Sequence, residues 1–88
     1  DQRVDIFAFG VTMYETLTGQ KPFNGDTSRE VLLAQKNRDQ HFAVPRDLNP
    51  SIPEDVERII LKCIEFDADK RYPHISYLVA ELRKALYV

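Results

Sequence analysis

The sequence predicts an all-α fold built from four helices. In the second half of the chain, apolar residues recur at the three- and four-residue spacing of amphipathic helices. Proline and glycine residues separate the helical segments, and no alternating apolar–polar run is long enough to indicate a strand. With 88 residues, the chain is long enough for one small domain at most. The prediction is therefore a single small unit of packed helices.

The first helix is predicted from about Val4 to Leu17, with Gly19 just beyond it as a C-terminal stop signal. Its apolar residues point in every direction around the helix axis: Val4, Ile6, Phe7, Ala8, Phe9, Val11, Met13, Tyr14 and Leu17. A helix that is apolar all round is normally buried all round. Three partner helices from so short a chain cover only part of it. We therefore expect a central helix with one face that requires another body of protein.

The second helix is predicted between two loops. Thr27 and Glu30 have the spacing of a capping box, so this helix is expected to begin there and to run to about Asn37. Asn24 and Gly25 favour a tight turn before it. The connection after it is expected to be extended, because it is rich in proline: Pro45, Pro50 and Pro53.

The third and fourth helices are each predicted from one amphipathic stripe. The third is expected to begin near Ser51 to Pro53, and its stripe comprises Val56, Ile59, Ile60, Cys63 and Ile64. The fourth is expected to begin after Pro73 and to end near Leu86. Its stripe comprises Ile75, Leu78, Val79, Leu82 and Leu86. Both stripes are expected to face a common core.

Composition excludes several classes of function. Twelve Lys and Arg residues against 14 Asp and Glu residues give a net charge of −2, which argues against binding to nucleic acid or anionic membranes. The single cysteine, Cys63, excludes an intrachain disulfide and a multi-cysteine zinc site. No apolar run approaches the ~20 residues of a membrane span. Because the chain begins at Asp1 and shows no secretory signal, we expect a piece of a longer, cytoplasmic protein.

The smaller candidate sites have structural interpretations. Asp67 and Asp69 begin like a calcium loop, but Tyr72 stands where that loop requires glycine and Leu78 where it requires glutamate. Cys63 lies on an apolar stripe and is expected to be a small core residue. The histidines have no ligand-spaced partners and are expected to be exposed: His41 and His74. Three tyrosines are expected to be packing residues: Tyr72, Tyr77 and Tyr87.

Several short motifs occur in a fixed order along the chain: Asp5-Ile6-Phe7-Ala8-Phe9-Gly10, Tyr14-Glu15, Thr18-Gly19, Pro22-Phe23, Lys62-Cys63-Ile64 and Asp69-Lys70-Arg71-Tyr72. In this combination they closely resemble the C-terminal part of the large lobe of the eukaryotic-type protein kinase fold. The residues from Leu17 to Phe23 are similar to serine/threonine kinases, and Arg71-Tyr72-Pro73 is most similar to bacterial members. Thr12 and Thr16 depart from the family pattern, which more often has larger apolar residues at these positions.

The resemblance implies roles for three side chains. The family's aspartate at the position of Asp5 accepts hydrogen bonds from the backbone of the catalytic loop; otherwise Asp5 would cap its own helix. The arginine matching Arg71 forms a buried salt bridge with a glutamate of the activation segment, and the alternative is a solvated charge run. The glutamate matching Glu15 can recognise a basic substrate residue, although a structural carboxylate is the safer interpretation.

The nucleotide-binding and catalytic motifs of this family do not occur in the sequence. It contains no Gly-x-Gly-x-x-Gly, no His-Arg-Asp and no Asp-Phe-Gly. We therefore expect ATP and Mg²⁺ to be cofactors of a parent kinase whose catalytic, cofactor-binding and metal-binding residues lie upstream. The segment alone is expected to be inactive.

Three hypotheses follow for residues 1–88. The favoured one is the C-terminal subdomain of an active serine/threonine kinase, in which the segment supplies the scaffold helix and a substrate-side surface. Its partners would be the rest of the kinase domain and a protein substrate, and not nucleic acid. The alternatives are a pseudokinase or scaffold, which only upstream residues distinguish, and an unrelated four-helix interaction module. In isolation, the segment is expected to be unstable or to self-associate through its uncovered face.

Overall fold

The computed structural model describes residues 1–25, 27–37 and 42–87, and the regular structure in these ranges is helical throughout. The elements are α1 (Gln2–Thr18), α2 (Ser28–Lys36), α3 (Pro45–Leu48), α4 (Glu54–Cys63), a short 3₁₀-helix (Ala68–Lys70) and α5 (Ile75–Tyr87). The all-α fold is therefore as predicted, with two short elements added. None of the helices in the described part of the chain combines the length and apolar character that a membrane span requires.

Helix α1 is the central element, and it contacts α3, α4 and α5. It begins earlier than predicted because Asp1 caps it, with a carboxylate oxygen that accepts the Arg3 N–H at 2.7 Å. Gly19 ends it with a φ of 76°, the left-handed conformation that glycine adopts without strain. The predicted stop signal is thus the observed C-cap.

One side of α1 packs closely against α4. The buried residues of α1 form a single line at four-residue spacing: Ile6, Gly10 and Tyr14. A Cβ atom added at Gly10 would lie 2.6 Å from the Cβ of Cys63 and 2.8 Å from Cγ2 of Ile64. The absence of a side chain at Gly10 therefore allows the two helices to cross in direct contact.

The opposite side of α1 is exposed. Val4 is 63% exposed and Phe9 is 41% exposed, although both are large apolar residues. Thr12 and Thr16 are exposed as well, and Thr12 Oγ1 donates a hydrogen bond to the carbonyl oxygen of Ala8 at 3.0 Å. This exposure agrees with the expectation that the chain's own helices cover only part of α1.

Helices α4 and α5 differ in how well they match their predicted stripes. Every residue of the α4 stripe is buried: Val56, Ile59, Ile60, Cys63 and Ile64. In α5, only Leu78 is buried, and the prediction is wrong for Ile75, Val79 and Leu86, which are 41%, 40% and 64% exposed. The reason is that α5 packs mainly on α4 and α1, so that the described residues cover the rest of its broad apolar face only in part.

Helices α2 and α3 flank residues that lie outside the described ranges. Thr27 caps α2 as predicted, because its hydroxyl accepts the Glu30 N–H at 3.2 Å. The prediction of an extended connection is wrong for Pro45–Leu48, which forms α3. Pro45 occupies the first turn of that helix, where its fixed φ is favourable and its missing N–H has no helical partner to lose.

Candidate functional site

Backbone carbonyl groups hold the Arg71 guanidinium where α1 meets the loop between α4 and α5. Nε donates to the oxygen of Glu65 at 2.7 Å, Nη1 to that of Arg3 at 3.1 Å and Nη2 to that of Phe66 at 3.2 Å. The central guanidinium carbon lies 4.6 Å from the centroid of the Phe7 ring. A guanidinium group carries five N–H donors. Two of them therefore have no acceptor among the described residues.

Arg71 is half-buried, and burial dominates its electrostatics. Burial lowers the pKa of the guanidinium, Arg3 lowers it further, and Asp67 acts in the opposite direction. Within the described residues, no ion pair joins Arg71 to a carboxylate. Arg71 is therefore an internally bonded group rather than part of a solvated charge run. The salt bridge with an upstream glutamate stays a prediction.

The first turn of α1 also contacts this loop through side chains. Arg3 Nη1 lies 2.7 Å from Oδ1 of Asp69, and Arg3 Nη2 lies 3.2 Å from Oδ2 of Asp1. Oε1 of Gln2 accepts the N–H of Ile75, the first residue of α5, at 2.8 Å. The start of α1 thus holds both the loop that carries Arg71 and the N-terminus of α5.

Asp5 lies in the first turn of α1, and its side chain is exposed. The interpretation of Asp5 as the cap of its own helix is wrong, because Asp1 is the N-cap. Its carboxylate makes no hydrogen bond or ion pair with another described residue. It is therefore available to a partner from outside the chain.

Glu15 lines a surface groove of about 520 Å³ between α1, the following loop and α2. The groove is lined by buried or half-buried apolar residues: Phe7, Val11, Phe23 and Val31. The charged residues that line it, Glu15 and Lys21, are exposed. The Phe7 and Phe23 rings are nearly parallel, with centroids 6.2 Å apart. The groove therefore combines an apolar floor with one acidic and one basic side chain.

A row of aromatic rings connects this groove to the core. Phe23 stacks on Phe42 at a centroid distance of 5.7 Å, and Phe42 lies 5.7 Å from the ring of Tyr14. The Tyr14 hydroxyl donates a hydrogen bond to the carbonyl oxygen of Ala43. Burial raises the pKa of Tyr14. This row fixes the segment after α2 against the central helix.

Cys63 and the acidic pair near Arg71 have structural roles. Cys63 is fully buried, and burial raises the pKa of its thiol to about 12, as suits a core residue. Asp67 caps the 3₁₀-helix by accepting the Asp69 N–H at 3.0 Å. In the part of the chain that the structure describes, no group of three or more His, Cys, Asp or Glu residues could hold a metal ion.

The tyrosines and histidines divide into buried and exposed residues. Tyr72 is buried as predicted, but its hydroxyl has no hydrogen-bond partner. The packing prediction is wrong for Tyr77 and Tyr87, which are 56% and 83% exposed on the uncovered part of α5. His74 is exposed as predicted, beside the ring of Tyr77. His41 lies outside the described residues.

Comparison with known proteins identifies the family. The family model described as protein tyrosine and serine/threonine kinase matches residues 1–82, nearly the whole chain. The chain belongs to the protein kinase family. This confirms the resemblance on which the site residues were selected.

Curated protein kinases from bacteria are similar to this chain along most of its length. A tyrosine-protein kinase, MasK of Myxococcus xanthus, is 42% identical over 83% of this chain and 11% of its own. The probable serine/threonine-protein kinase CA_C1728 of Clostridium acetobutylicum is 37% identical over 93% of this chain and 12% of its own. The serine/threonine-protein kinase PrkC of Bacillus subtilis is 34% identical over 96% and 13%. The chain thus spans about an eighth of the length of these relatives.

The kinase residues selected from the sequence do not form one cluster. Arg71 contacts the backbone oxygen of Arg3, which lies two residues before Asp5 in α1. Glu15 lies ten residues after Asp5, which corresponds to about 15 Å along the helix axis. The family resemblance therefore selected two separate regions, one at the N-terminal end of α1 and one near the groove.

Sequence reasoning missed three side chains that position these regions. Gln2 accepts a hydrogen bond from the start of α5, and Arg3 forms an ion pair with Asp69. Near the end of α1, the Leu17 carbonyl oxygen accepts a hydrogen bond from Asn49 Nδ2 at 2.9 Å. These contacts join residues that lie 73, 66 and 32 positions apart. No rule of local spacing signals such pairs.

Proposed function

We propose that the parent protein is a serine/threonine kinase that transfers the γ-phosphoryl group of ATP to protein hydroxyl groups. In this proposal, residues 1–88 are the C-terminal subdomain of its catalytic domain. The one-sided burial of α1 carries the proposal, because one line of residues packs on α4 while the other side, with Val4 and Phe9, is exposed. Such a helix is suited to support a second body of protein. Family membership and the names of two similar proteins support the chemistry.

Two side chains would connect this subdomain to the rest of the kinase, and a third would contact its substrate. The exposed Asp5 carboxylate would accept N–H groups from the backbone of the catalytic loop. The two uncommitted N–H donors of Arg71 would bind a carboxylate of the activation segment, a pairing that the planar guanidinium favours. Glu15, at the edge of the groove, would contact a basic residue of the protein substrate.

ATP and Mg²⁺ do not fit the described residues of this chain. The described residues contain no cluster of three metal-ligating side chains, and the sequence lacks the family's phosphate-binding motifs. We therefore assign both groups to other parts of the parent protein and derive no step through them here. We place the catalytic domain in the cytoplasm, where ATP is available to a kinase.

A phosphotransfer assay on the full-length parent tests the proposal. Incubation with γ-labelled ATP, Mg²⁺ and a generic protein substrate is expected to give phosphoserine and phosphothreonine. Because one similar protein is named a tyrosine kinase, phosphoamino-acid analysis is required, and exclusive phosphotyrosine would refute the proposed specificity. No transfer by the intact parent would support the pseudokinase alternative instead. The 88-residue segment alone is expected to transfer nothing.

Two variants test the role of Asp5 in the same assay. Asp5→Asn keeps the size of the side chain but removes its charge, and it is expected to lower kcat about tenfold, as loss of a supporting hydrogen-bond partner commonly does. Asp55→Asn, in the first turn of α4, is the matched control for an exposed helical carboxylate. Equal activities of the two variants would exclude the supporting role.

A further inference from the structure

The ion pair between Arg3 and Asp69 joins the first turn of the central helix to the 3₁₀-helix before Arg71. Its two atoms lie 2.7 Å apart, and the side chains are 38% and 85% exposed. Exposed pairs of this kind contribute little to global stability, because water screens them and long side chains lose freedom on pairing. The main effect of this pair is therefore expected to be local, on the position of the groups that it joins.

The contacts around this pair form a closed ring. Arg3 bonds to Asp69 through its side chain, and its backbone oxygen accepts Nη1 of Arg71 at 3.1 Å. Asp69 lies two residues before Arg71 within a tight turn, in which the Arg71 N–H donates to the oxygen of Ala68 at 3.2 Å. One residue of α1 thus holds both the turn that carries Arg71 and the guanidinium group itself.

The charges favour the same arrangement. Arg3 and Arg71 are both cationic and lie close enough to affect each other. Asp69 and Asp1 both contact the Arg3 guanidinium and compensate its charge. Without Asp69, the repulsion between the two arginines would be less compensated, and the turn would lose its link to α1. Arg71 would then be held less firmly over Phe7.

We propose that Arg3 and Asp69 are positioning residues for Arg71, and that they orient its two uncommitted N–H donors toward the carboxylate that it binds in the parent kinase. This inference rests on the proposed kinase function. Neither residue touches a reacting group. Each acts through Arg71, so removal of either is expected to have the same consequence.

Double-mutant kinetics in the full-length parent test the proposal. Asp69→Asn and Arg3→Met are each expected to lower kcat about two- to fivefold, the size that an exposed ion pair supports, with little change in KM. Asp69→Glu retains the charge and is expected to restore activity. In an Arg71→Lys background, Asp69→Asn is expected to cause no further loss. The control is Asp55→Asn, which breaks another exposed pair, with Arg58 at 3.7 Å, and is expected to leave kcat unchanged.

Two kinetic results would overturn the proposal. One is an equal loss from Asp69→Asn with and without Arg71, since the pair would then act independently of it. The other is unchanged kcat in both single variants. A separate measurement does not depend on catalysis. The Arg71 Nε–H donates a hydrogen bond to the carbonyl oxygen of Glu65 at 2.7 Å, and it is expected to exchange faster with solvent in Asp69→Asn than in wild type.

Failure of the kinase proposal and failure of this inference are distinguishable. A wild-type parent without phosphotransfer refutes the function, and the exchange rate of the Arg71 Nε–H, measured by nuclear magnetic resonance, then decides the positioning claim alone. Faster exchange in Asp69→Asn, but not in Asp55→Asn, supports it. Equal rates in wild type and Asp69→Asn refute it.

Discussion

Replacing Gly10 by alanine tests the close crossing of α1 and α4. By helix propensity alone, alanine would stabilise α1 by about 1 kcal/mol. The new Cβ, however, would lie 2.6 Å from the Cβ of Cys63, whereas ordinary contact begins at 3.4 Å. Because the Cys63 Cβ is bonded directly to the α4 backbone, it cannot rotate away. The helices must then separate by about 0.8 Å at this point.

The expected effect of Gly10→Ala is a net loss of stability. Overpacking of a core costs about 1–3 kcal/mol, so after the gain in propensity the free energy of unfolding should fall by up to about 2 kcal/mol. Urea denaturation of the parent's catalytic domain measures this change. Ser76→Ala, at an exposed position of α5, is the control and is expected to change the free energy of unfolding by no more than about 0.5 kcal/mol. If Gly10→Ala instead raised the free energy of unfolding by about 1 kcal/mol, as helix propensity alone predicts, the inferred crossing would be refuted.

Three further predictions concern buried groups and the uncovered face. Tyr72→Phe removes an unpartnered buried hydroxyl, so the free energy of unfolding is expected to stay unchanged or to rise by about 1 kcal/mol. Tyr14→Phe removes a hydrogen bond and is expected to lower the free energy of unfolding by about 1 kcal/mol. Chemical denaturation measures both, and a larger loss from Tyr72→Phe than from Tyr14→Phe would contradict this. Burial raises the pKa of the Cys63 thiol to about 12 from an ordinary value of 9.0, because the folded state favours the neutral thiol. The contribution of this buried thiol to the free energy of unfolding is therefore complete below pH 9 and is lost as the pH rises toward 12. Thiol labelling at pH 8 should therefore require unfolding, and rapid labelling of the folded domain would count against burial. The isolated chain is expected to self-associate or to melt without cooperativity, and a cooperative thermal melt of a dilute monomer, monitored by circular dichroism and sedimentation, would show otherwise.

The helices were predictable because their signals are local. The α4 stripe, the Thr27 cap and the Gly19 stop each depend on residues within a few positions of one another, and all three are observed. Helix α3 was missed because prolines suggested an extended chain, while Pro45 instead occupies a helical first turn. The exposed part of α5 was mispredicted because its periodicity does not reveal how many neighbours the helix has.

The site was predictable only through the family resemblance. By its own sequence context, Arg71 belongs to a charge run, and nothing local indicates three carbonyl acceptors from Arg3, Glu65 and Phe66. The link between Arg3 and Asp69 was not predicted at all, since 66 residues separate them. Contacts of this kind depend on how helices cross, which no periodic pattern specifies.

The sequence by itself determined the helical class, the central place of α1 and the family, because helical periodicity, caps and short motifs are properties of neighbouring residues. Only the tertiary structure decided which faces are covered and which charges have partners. Burial and pairing depend on residues brought together from distant parts of the chain, as Gly10 meets Cys63 and as Arg3 meets Asp69. For the same physical reason, only the tertiary structure shows that Asp5 is exposed and that two N–H donors of Arg71 have no acceptor among the described residues.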